Sequence, residues 1–397
     1  MSKDCYFLIN GTIITPHRVL PNSGLLIEGS EIKDLFHMNS FHPYEDTSLL
    51  DVKGAYIAPG FIDMHLHGGG GADVMDGTPE AVAAIAEAHA KGGTTSIVPT
   101  TLTSSTQDLK RAIAAFEEAS KMKTRGSRLL GLHLEGPYFA PSQKGAQDIR
   151  FIRDPVKEEY LSILDSSPNI LRVSAAPELP GGLELGRELR RRGILASIGH
   201  TDASYDEIIL AVEAGYSHVT HLYSGMSGVH RVRAYRIAGA IESGLLLDDL
   251  TVEIIADGKH LPASLLQLIY KCKGADKIAL CTDSIRASGM PEGKFVLGNP
   301  EDGQSIVVEE GVAWLPDRTA FAGSVATMNL LVGNMVNLAR VSLQDAVRMA
   351  TLTPARILRI DNVKGNIDKG KDADIVVFDD NINVRMTIVE GEVVYRA

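Results

Sequence analysis

The stretch Pro59-Gly60-Phe61-Ile62-Asp63-Met64-His65-Leu66-His67 is an apolar run that ends in two imidazoles separated by one residue. This pattern predicts a short buried strand. Side chains two apart on a strand point to the same face, so one metal ion could contact both imidazoles at the strand's carboxyl end. Neutral imidazole is a common metal ligand that suits zinc and iron. The glycines that follow, at 68–71, predict a turn or a wall without side chains.

The middle of the chain repeats this pattern, with apolar strands alternating with amphipathic helices. Such alternation is typical of a parallel barrel, in which active sites collect at the carboxyl ends of the strands. The sequence therefore predicts a (β/α)8 barrel of the TIM type over residues 59–356. The predicted strands are 61–67, 95–99, 129–135, 171–177, 195–200, 218–222, 251–256 and 277–283, and the clearest helices are 79–91, 105–122, 183–192, 205–214 and 261–271.

Both ends of the chain are rich in short β segments. Near the start, residues 6–9 and 12–14 flank Asn10-Gly11, which is a hairpin signature. Apolar runs at 373–378 and 386–389 continue the pattern near the end of the chain. Neither end is long enough to bury a core by itself. We therefore expect one small β-sandwich domain built from residues 1–58 and 357–397.

Composition excludes several classes of protein. The formal charge of −11 opposes binding to nucleic-acid phosphates, and no apolar run among the 397 residues is long enough to span a bilayer. The first residues, with Lys3 and Asp4, lack the apolar core of a signal peptide. Three cysteines without a C-x-x-C pair indicate a reducing compartment. A cytoplasmic protein with neither membrane nor nucleic-acid partner is expected.

Six of the eight predicted strands end in His, Glu or Asp. Such groups at the ends of buried strands are costly to desolvate unless they are paired or bound to a metal. Their convergence on one barrel mouth therefore indicates chemistry. The strand-end residues are His65, His67, His133, Glu135, His200, Asp202, His221, Asp257, His260 and Asp283.

Alternation along the strands sorts these candidates. His133 and Glu135 share a face, whereas His218 and His221 lie on opposite faces. We therefore expect His221 to face the site and His218 to face the helical layer. His133 is either a group that orients a metal ligand or a buried, hydrogen-bonded core histidine.

This set of motifs resembles the amidohydrolase superfamily and, more narrowly, the N-acetylglucosamine-6-phosphate deacetylases. The resemblance covers almost the whole chain. Its most specific part is Glu135-Gly136-Pro137, because many relatives place a carboxylated lysine at that strand end. The other motifs are the opening stretch with Gly68, Gly199-His200-Thr201, Thr220-His221-Leu222-Tyr223, Ile255-Ala256-Asp257-Gly258-Lys259-His260 and Thr282-Asp283-Ser284.

The resemblance implies a divalent-metal centre. Glu135, His200 and His221 are the implied ligands of the main metal, and the retained His65 and His67 imply a second site bridged by Glu135. One or two ions are expected, either zinc or iron, with manganese as a third candidate, because affinity order alone does not decide among them. At the end of the eighth strand, Asp283 is the expected general base and acid, although capping of the following turn is the structural alternative.

The implied reaction is hydrolysis of N-acetylglucosamine 6-phosphate to glucosamine 6-phosphate and acetate, in amino-sugar catabolism. A homodimer with a shared phosphate pocket is implied as well. Arg233 is the expected phosphate ligand, with Arg231 as its rival, because a guanidinium donates two parallel bonds to phosphate. The other implied substrate contacts are Ala146, Gln147, Ser224, Gly225, Asp257, His260, Phe321, Ala322 and Gly323.

Several alternatives stay open at this point. The segment Tyr223-Ser224-Gly225-Met226-Ser227-Gly228 departs from the family's usual Tyr-Asn-Ala-Met-Ser-Pro, which leaves the N-acetylgalactosamine 6-phosphate substrate open. Another amidohydrolase reaction, such as cyclic-amide opening or nucleobase deamination, is disfavoured by Glu135 and the paired arginines. A non-catalytic assembly protein is disfavoured because the ligands and the general base are all retained.

Overall fold

The structure is a computed structural model that describes residues 5–44 and 47–397. Residues 1–4 and 45–46, which belong to the predicted 1–58 segment, lie outside the described residues. The predicted fold class is confirmed, since a barrel of parallel strands carries a mixed β-sheet built from both termini. The domain boundaries at 58/59 and 356/357 stay predictions.

Eight parallel strands pair in chain order around a nearly closed barrel. Each pairs with its sequence neighbour, as expected for repeated strand–helix–strand units with short connections. The strands are Phe61–Leu66, Thr94–Thr101, Leu132–Glu135, Ile170–Ala175, Leu195–Ile198, Tyr216–Val219, Thr251–Ile254 and Ile278–Leu280, and the short Arg128–Leu129 also pairs with the second strand.

The barrel closes between its first and eighth strands through the segment that follows the eighth. The main-chain nitrogen of Asp283 donates to the carbonyl of His65 at 2.9 Å. Below this contact, the buried carboxylate of Asp63 accepts hydrogen bonds from Thr282, at 2.5 Å from Oγ1 and 3.2 Å from the main-chain nitrogen. Closure therefore brings Asp283 beside the two histidines of the first strand.

Helices cover the outside of the barrel and extend beyond it. Their ends follow local sequence signals: the side chains of Thr78 and Ser105 accept hydrogen bonds at helix N-termini, and Gly193 ends a helix in the left-handed conformation. All five predicted helices are present, within three residues at each end. The helices are Pro79–Ala90, Thr106–Ala119, Lys157–Leu164, Gly182–Arg192, Tyr205–Ala214, Ala240–Leu246, Ala263–Lys273, Met328–Asn337, Leu343–Ala350 and Leu352–Ile357.

The two termini form one mixed sheet of eight strands. The antiparallel pairing of Tyr56–Pro59 with Ile375–Phe378 joins the two ends of the chain. The sheet buries its own apolar cluster, which includes Leu8, Leu25 and Ile388. Its other strands are Cys5–Ile14, Val19–Glu28, Glu31–His37, Ser48–Asp51, Val384–Val389 and Glu392–Arg396.

The hairpin predicted at Asn10-Gly11 is wrong. Residues 5–14 form a single strand that pairs with Val19–Glu28, and Asn10-Gly11 lies at a register irregularity within this ladder. Asn10 has φ 61°, a left-handed conformation that an Asn-Gly pair accepts in a β-bulge as readily as in a tight turn.

Three small β elements project from the barrel. Gly68–Gly69 and Ala72–Asp73 form a short hairpin, so the glycine run is a turn. The hairpin of His230–Val232 and Tyr235–Ile237 is exposed over most of its length. A three-stranded sheet (Gly293–Leu297, Gln304–Glu309 and Val312–Trp314) follows the eighth barrel strand. Within the described ranges, no helix is both long enough and apolar enough to cross a membrane.

Candidate active site

A cavity opens at the carboxyl ends of the barrel strands. Its floor contains ionisable groups from the first, third, fifth, sixth and eighth strands, and the loop carrying Phe321 forms part of its wall. Sequence reasoning placed most of these groups at one barrel mouth. The lining residues are His67, Leu102, Glu135, Gly145, Ala146, Gln147, His200, His221, Ser224, Gly225, His260, Asp283, Ile285, Leu297, Ala320, Phe321, Ala322 and Gly323.

Among the described residues, three overlapping sets of buried side chains have the arrangement of metal ligands. Two of them share Glu135, and we call these the His65 group (His65, His67 and Glu135) and the His200 group (Glu135, His200 and His221). The third set, His65, Glu253 and Cys281, lies outside the lining of the cavity. Within each group, one potential ligand atom per residue lies within 4.8 Å of the others. Glu135 belongs to both groups, so its carboxylate joins them.

The Glu135 carboxylate is the centre of this arrangement. Its Oε1 lies 3.0 Å from Nε2 of His221 and 3.5 Å from Nε2 of His200. On the other side, Nε2 of His65 lies 3.4 Å from Oε1, and Nε2 of His67 lies 3.3 Å from Oε2. Four imidazole nitrogens therefore face one buried carboxylate.

In three of the four imidazoles, an oxygen atom contacts Nδ1, on the side of the ring away from Glu135, and so orients the ring. His65 contacts Glu253 at 2.7 Å, whereas His67 and His200 contact the carbonyl oxygens of Thr100 and Gln143 at 3.1 and 2.8 Å. An Nδ1–H donated to such an acceptor leaves Nε2 as the nitrogen with the free lone pair. The three rings thus present their ligand atoms toward Glu135.

The donor set fits a divalent cation. Nε2 of His65 is buried without a hydrogen-bond partner, yet it lies 3.4 Å from an oxygen of Glu135 and 3.4 Å from an oxygen of Asp283. Buried polar atoms without partners are costly, and imidazoles with a carboxylate are preferred ligands of zinc and iron. The two groups could each hold one divalent ion.

Both carboxylates of the site are ionised near neutral pH. Burial alone would raise the pKa of Glu135, but the surrounding imidazoles, His65 foremost, hold it well below its usual range. The pKa of Asp283 is likewise lowered, because the nearby His65 and His67 outweigh the effect of its burial. The pKa of His67 is raised well above its usual value, because Asp283 and Glu135 outweigh the effect of its burial. The two carboxylates therefore attract positive charge, which either a protonated imidazole or a bound cation can supply.

The backbone turns sharply where the strands deliver these residues. His200, His221 and Asp283 have φ values of 48°, 24° and 47°, a region that side chains other than glycine rarely occupy. Each residue lies just beyond its strand's last ladder position. Strain of this kind concentrates at functional sites.

The prediction that His218 faces the helical layer is wrong. Its Nδ1 lies 2.8 Å from Oγ1 of Thr251, and its Nε2 lies 3.5 Å from the buried carboxylate of Glu253, inside the barrel. The strand ends at Val219, so the alternation of faces does not extend to His221, which reaches the site through its left-handed backbone.

His133 is a buried histidine that also packs on a ligand candidate. Its Nε2 lies 2.7 Å from Oγ of Ser174, and its Nδ1 lies 3.2 Å from Oγ1 of Thr100. Its ring contacts His65 edge to face at 4.7 Å between centroids. It therefore supports the position of His65 without facing the cavity.

The expected substrate contacts divide into three sets. Ala146, Gln147, Ser224, Gly225, His260 and the segment 321–323 line the cavity. Gln147 also donates to Oε2 of Glu135 at 2.6 Å, so it orients that carboxylate. Asp257 lies behind His260, where its carboxylate contacts Nδ1 at 2.8 Å. As substrate contacts, all of these residues stay predictions.

Arg231 and Arg233 form the third set, because the structure does not bring them to this cavity. Both are exposed and lie in the hairpin of residues 230–237, outside the lining residues of their own chain. A contact with phosphate therefore requires another chain or a different position of the hairpin.

Sequence reasoning missed the charged pair beneath the site. Arg172 and Glu253 are fully buried, and they join through two contacts of 2.5 and 2.8 Å. Each is the one charged residue of its predicted strand and has an apolar residue on both sides, in Leu171-Arg172-Val173 and Val252-Glu253-Ile254. That interruption is the signal that could have identified them.

Comparison with known proteins finds similarity over most of the chain. A family model described as the amidohydrolase family matches residues 56–394. The chain is 35% identical to an N-acetylglucosamine-6-phosphate deacetylase from Lysinibacillus sphaericus, over 87% of each chain. It is 34% identical to an N-acetylgalactosamine-6-phosphate deacetylase from Escherichia coli O157:H7, over 85% of this chain and 87% of that one.

A solved structure is similar over the whole chain. The crystal structure of N-acetylglucosamine-6-phosphate deacetylase from Pasteurella multocida has a TM-score of 0.92 and 30% identity, and covers 99% of this chain and 100% of that one.

Replacing Gly225 by alanine should weaken the His200 group. Gly225 has φ 57°, and a Cβ there would lie 2.7 Å from Nδ1 of His200 and 2.9 Å from the carbonyl oxygen of Gln143. We expect Gly225→Ala to displace the His200 ring and to reduce cation affinity by about tenfold or more, as for other lost ligand-orienting contacts. Zinc titration of the chelator-treated protein measures this affinity.

Gly228→Ala is the matched control, because its nearest neighbour would lie 3.5 Å from the added Cβ. We expect its zinc affinity to equal that of the wild type. Equal affinities for Gly225→Ala and Gly228→Ala would contradict the assigned role of the His200 contact.

Proposed function

The chain belongs to the amidohydrolase family, and we propose that it is a metal-dependent deacetylase that converts N-acetylglucosamine 6-phosphate to glucosamine 6-phosphate and acetate. One observation carries the proposal. Glu135 joins two ligand groups on the floor of a single cavity, and Asp283 faces the same cavity. Curated deacetylases at about a third identity over most of the chain support the substrate class.

A divalent cation bound to these groups would supply Lewis acidity, which acidifies water and polarises a carbonyl oxygen. The set of imidazoles and one carboxylate suits zinc or iron, with manganese as the third candidate. Glu135 would bridge two ions if both groups are filled.

Asp283 is the proposed general base and general acid. Its Oδ1 lies 3.1 Å from Nε2 of His67, and its lowered pKa keeps the carboxylate in the ionised form that a general base requires. Asp283 takes a proton from the attacking water and returns it to the nitrogen of the departing amine. The contact between its main-chain nitrogen and the His65 carbonyl keeps the carboxylate beside the ligand groups.

The cavity wall is suited to a sugar. The Phe321 ring packs against His260 at 4.8 Å and against Trp314 at 4.6 Å between centroids, which fixes an apolar surface at the cavity. Ala146 and Gln147 also line this cavity. We propose that the amino sugar binds in this cavity, in contact with Phe321 and with the segment that carries Ala146 and Gln147.

We propose that the substrate's phosphate binds in a pocket shared by the two subunits of a homodimer. Arg231 and Arg233 lie on an exposed hairpin that also exposes Val232 and Tyr235, with 53% and 76% of their surface accessible. Large apolar side chains exposed beside arginines suit a contact with a second copy of the chain. The hairpin would then supply an arginine to the partner's pocket. Cytoplasmic location and the absence of a nucleic-acid partner stay predictions from composition.

The galactosamine substrate is the second candidate, because a curated relative with that activity is 34% identical to the chain. Two assays distinguish these candidate functions: acetate release from N-acetylglucosamine 6-phosphate and N-acetylgalactosamine 6-phosphate, and ring opening of a cyclic amide. We expect the highest kcat/KM for the first substrate. Turnover of the cyclic amide alone would indicate another amidohydrolase reaction. No turnover by protein loaded with zinc, iron or manganese in turn would indicate an assembly protein.

Asp283→Asn should abolish proton transfer without emptying the metal site. We expect kcat to fall by about 10²- to 10⁴-fold, the usual contribution of a positioned acid or base, while zinc content stays near that of the wild type. Steady-state kinetics and elemental analysis measure the two quantities on the same sample. Normal turnover by Asp283→Asn would rule out the assigned role.

Arg233→Ala and Arg231→Ala should separate the two rival phosphate ligands. Loss of a charge-assisted hydrogen bond of about 1.5–3 kcal/mol predicts a KM raised by about 10- to 150-fold for the true ligand. We expect the larger rise for Arg233→Ala, with an unchanged KM for a substrate analogue that lacks phosphate.

Subunit mixing tests the shared pocket. Arg233→Ala and Asp283→Asn protein, each impaired alone, should regain activity when mixed, because a heterodimer contains one pocket with both groups intact. Absence of recovery in a mixture shown to exchange subunits would contradict the shared pocket.

A further inference from the structure

Glu253 lies beneath the proposed metal centre without facing the cavity. Its side chain is fully buried, and its carboxylate contacts a fully buried guanidinium, that of Arg172. Arg172 uses its remaining donors on Oγ of Ser197, Oγ1 of Thr220 and the carbonyl of Met64, at 2.9, 2.9 and 3.2 Å. Every donor nitrogen of the guanidinium has a partner, so its orientation is fixed.

This arrangement directs the carboxylate at His65. Oε1 of Glu253 lies 2.7 Å from Nδ1 of His65, and the same oxygen accepts a hydrogen bond of 2.8 Å from Arg172. A carboxylate at this distance holds the imidazole hydrogen on Nδ1. The lone pair then lies on Nε2, which faces Glu135 and has no hydrogen-bond partner.

The same oxygen reaches the second ligand group through the backbone. Oε1 of Glu253 accepts a hydrogen bond of 3.1 Å from the main-chain nitrogen of His221. His221 has φ 24°, and this contact holds the turn that brings its ring to Glu135. One buried carboxylate therefore acts on a ligand from each group.

We infer that Glu253, held by Arg172, is a positioning residue that sets the orientation and ring tautomer of His65 and thereby the affinity of the His65 group for a divalent cation. The inference rests on the proposed cation-dependent function. It extends that function to residues that touch neither the cation nor the substrate, and it assigns a role to the charged pair that interrupts two apolar strands.

Zinc binding to chelator-treated protein tests this inference. We expect Glu253→Gln to bind zinc at the His65 group about 10- to 100-fold more weakly than the wild type, the range seen when a ligand-orienting contact is lost. Bound zinc per chain and a competition titration give the number and the affinity of the sites. The visible absorption of cobalt-loaded protein should change as well, since ring orientation affects the ligand field and overall stability does not.

Two further variants distinguish a loss of ligand orientation from a general loss of stability. Glu253→Gln leaves the buried charge of Arg172 without its partner, so Arg172→Met with Glu253→Gln removes both charges. We expect the same loss of zinc affinity in this double variant. Asp374→Asn is the matched control, because it breaks a buried ion pair with Lys364 (2.6 Å) next to the terminal sheet. It should lower the melting temperature and leave zinc affinity unchanged.

The outcomes separate the two proposals. If both Glu253 variants bind as many zinc ions as the wild type, with the same affinity and an unchanged cobalt spectrum, the positioning role alone is overturned. A wild-type protein that binds neither zinc nor cobalt would overturn the proposed function and this inference together. Equal weakening of zinc binding by Asp374→Asn would also overturn the inference, because a general loss of stability would then explain the effect.

Discussion

The burial of the Glu135 carboxylate is the constraint on which the rest of the site depends. This side chain is 1% exposed, and four imidazole nitrogens lie 3.0 to 3.5 Å from its oxygens. Removing a carboxylate from water costs several kcal/mol unless positive charge compensates it. The barrel directs histidines from three strands, at His65 and His67, His200 and His221, to the carboxylate. Their imidazoles supply positive charge when protonated, or hold a cation that supplies it.

Holding these groups together requires strained backbone and buried charge elsewhere. His200, His221 and Asp283 each adopt a left-handed conformation, which costs of order 1–3 kcal/mol per residue. Ladder hydrogen bonds and a large apolar core around the barrel offset that cost. Beneath the site, the Arg172–Glu253 pair replaces the apolar contacts of an ordinary barrel core with directional ones. Directional contacts fix ring orientation, which apolar packing alone specifies less closely.

Much of this arrangement could be predicted from the sequence, because barrel geometry sends each strand end to the same mouth. The alternation of strand faces gave the wrong orientation for His218, because the strand ends before it reaches His221. Asn10-Gly11 was ambiguous, since a bulge and a tight turn both accept a left-handed asparagine. Arg231 and Arg233 lie on an exposed hairpin, and their binding partner depends on what contacts that hairpin. No local sequence pattern encodes such a contact.

Anomalous X-ray diffraction from crystals of the purified, metal-loaded protein tests the central claim most directly. Data collected on both sides of the zinc, iron and manganese absorption edges locate and identify any bound ion. The account predicts a peak about 2.0–2.2 Å from ligand atoms of Glu135, His200 and His221, with a second near His65 and His67 at saturation. A loaded crystal whose only peaks lie out of reach of Glu135 would contradict it.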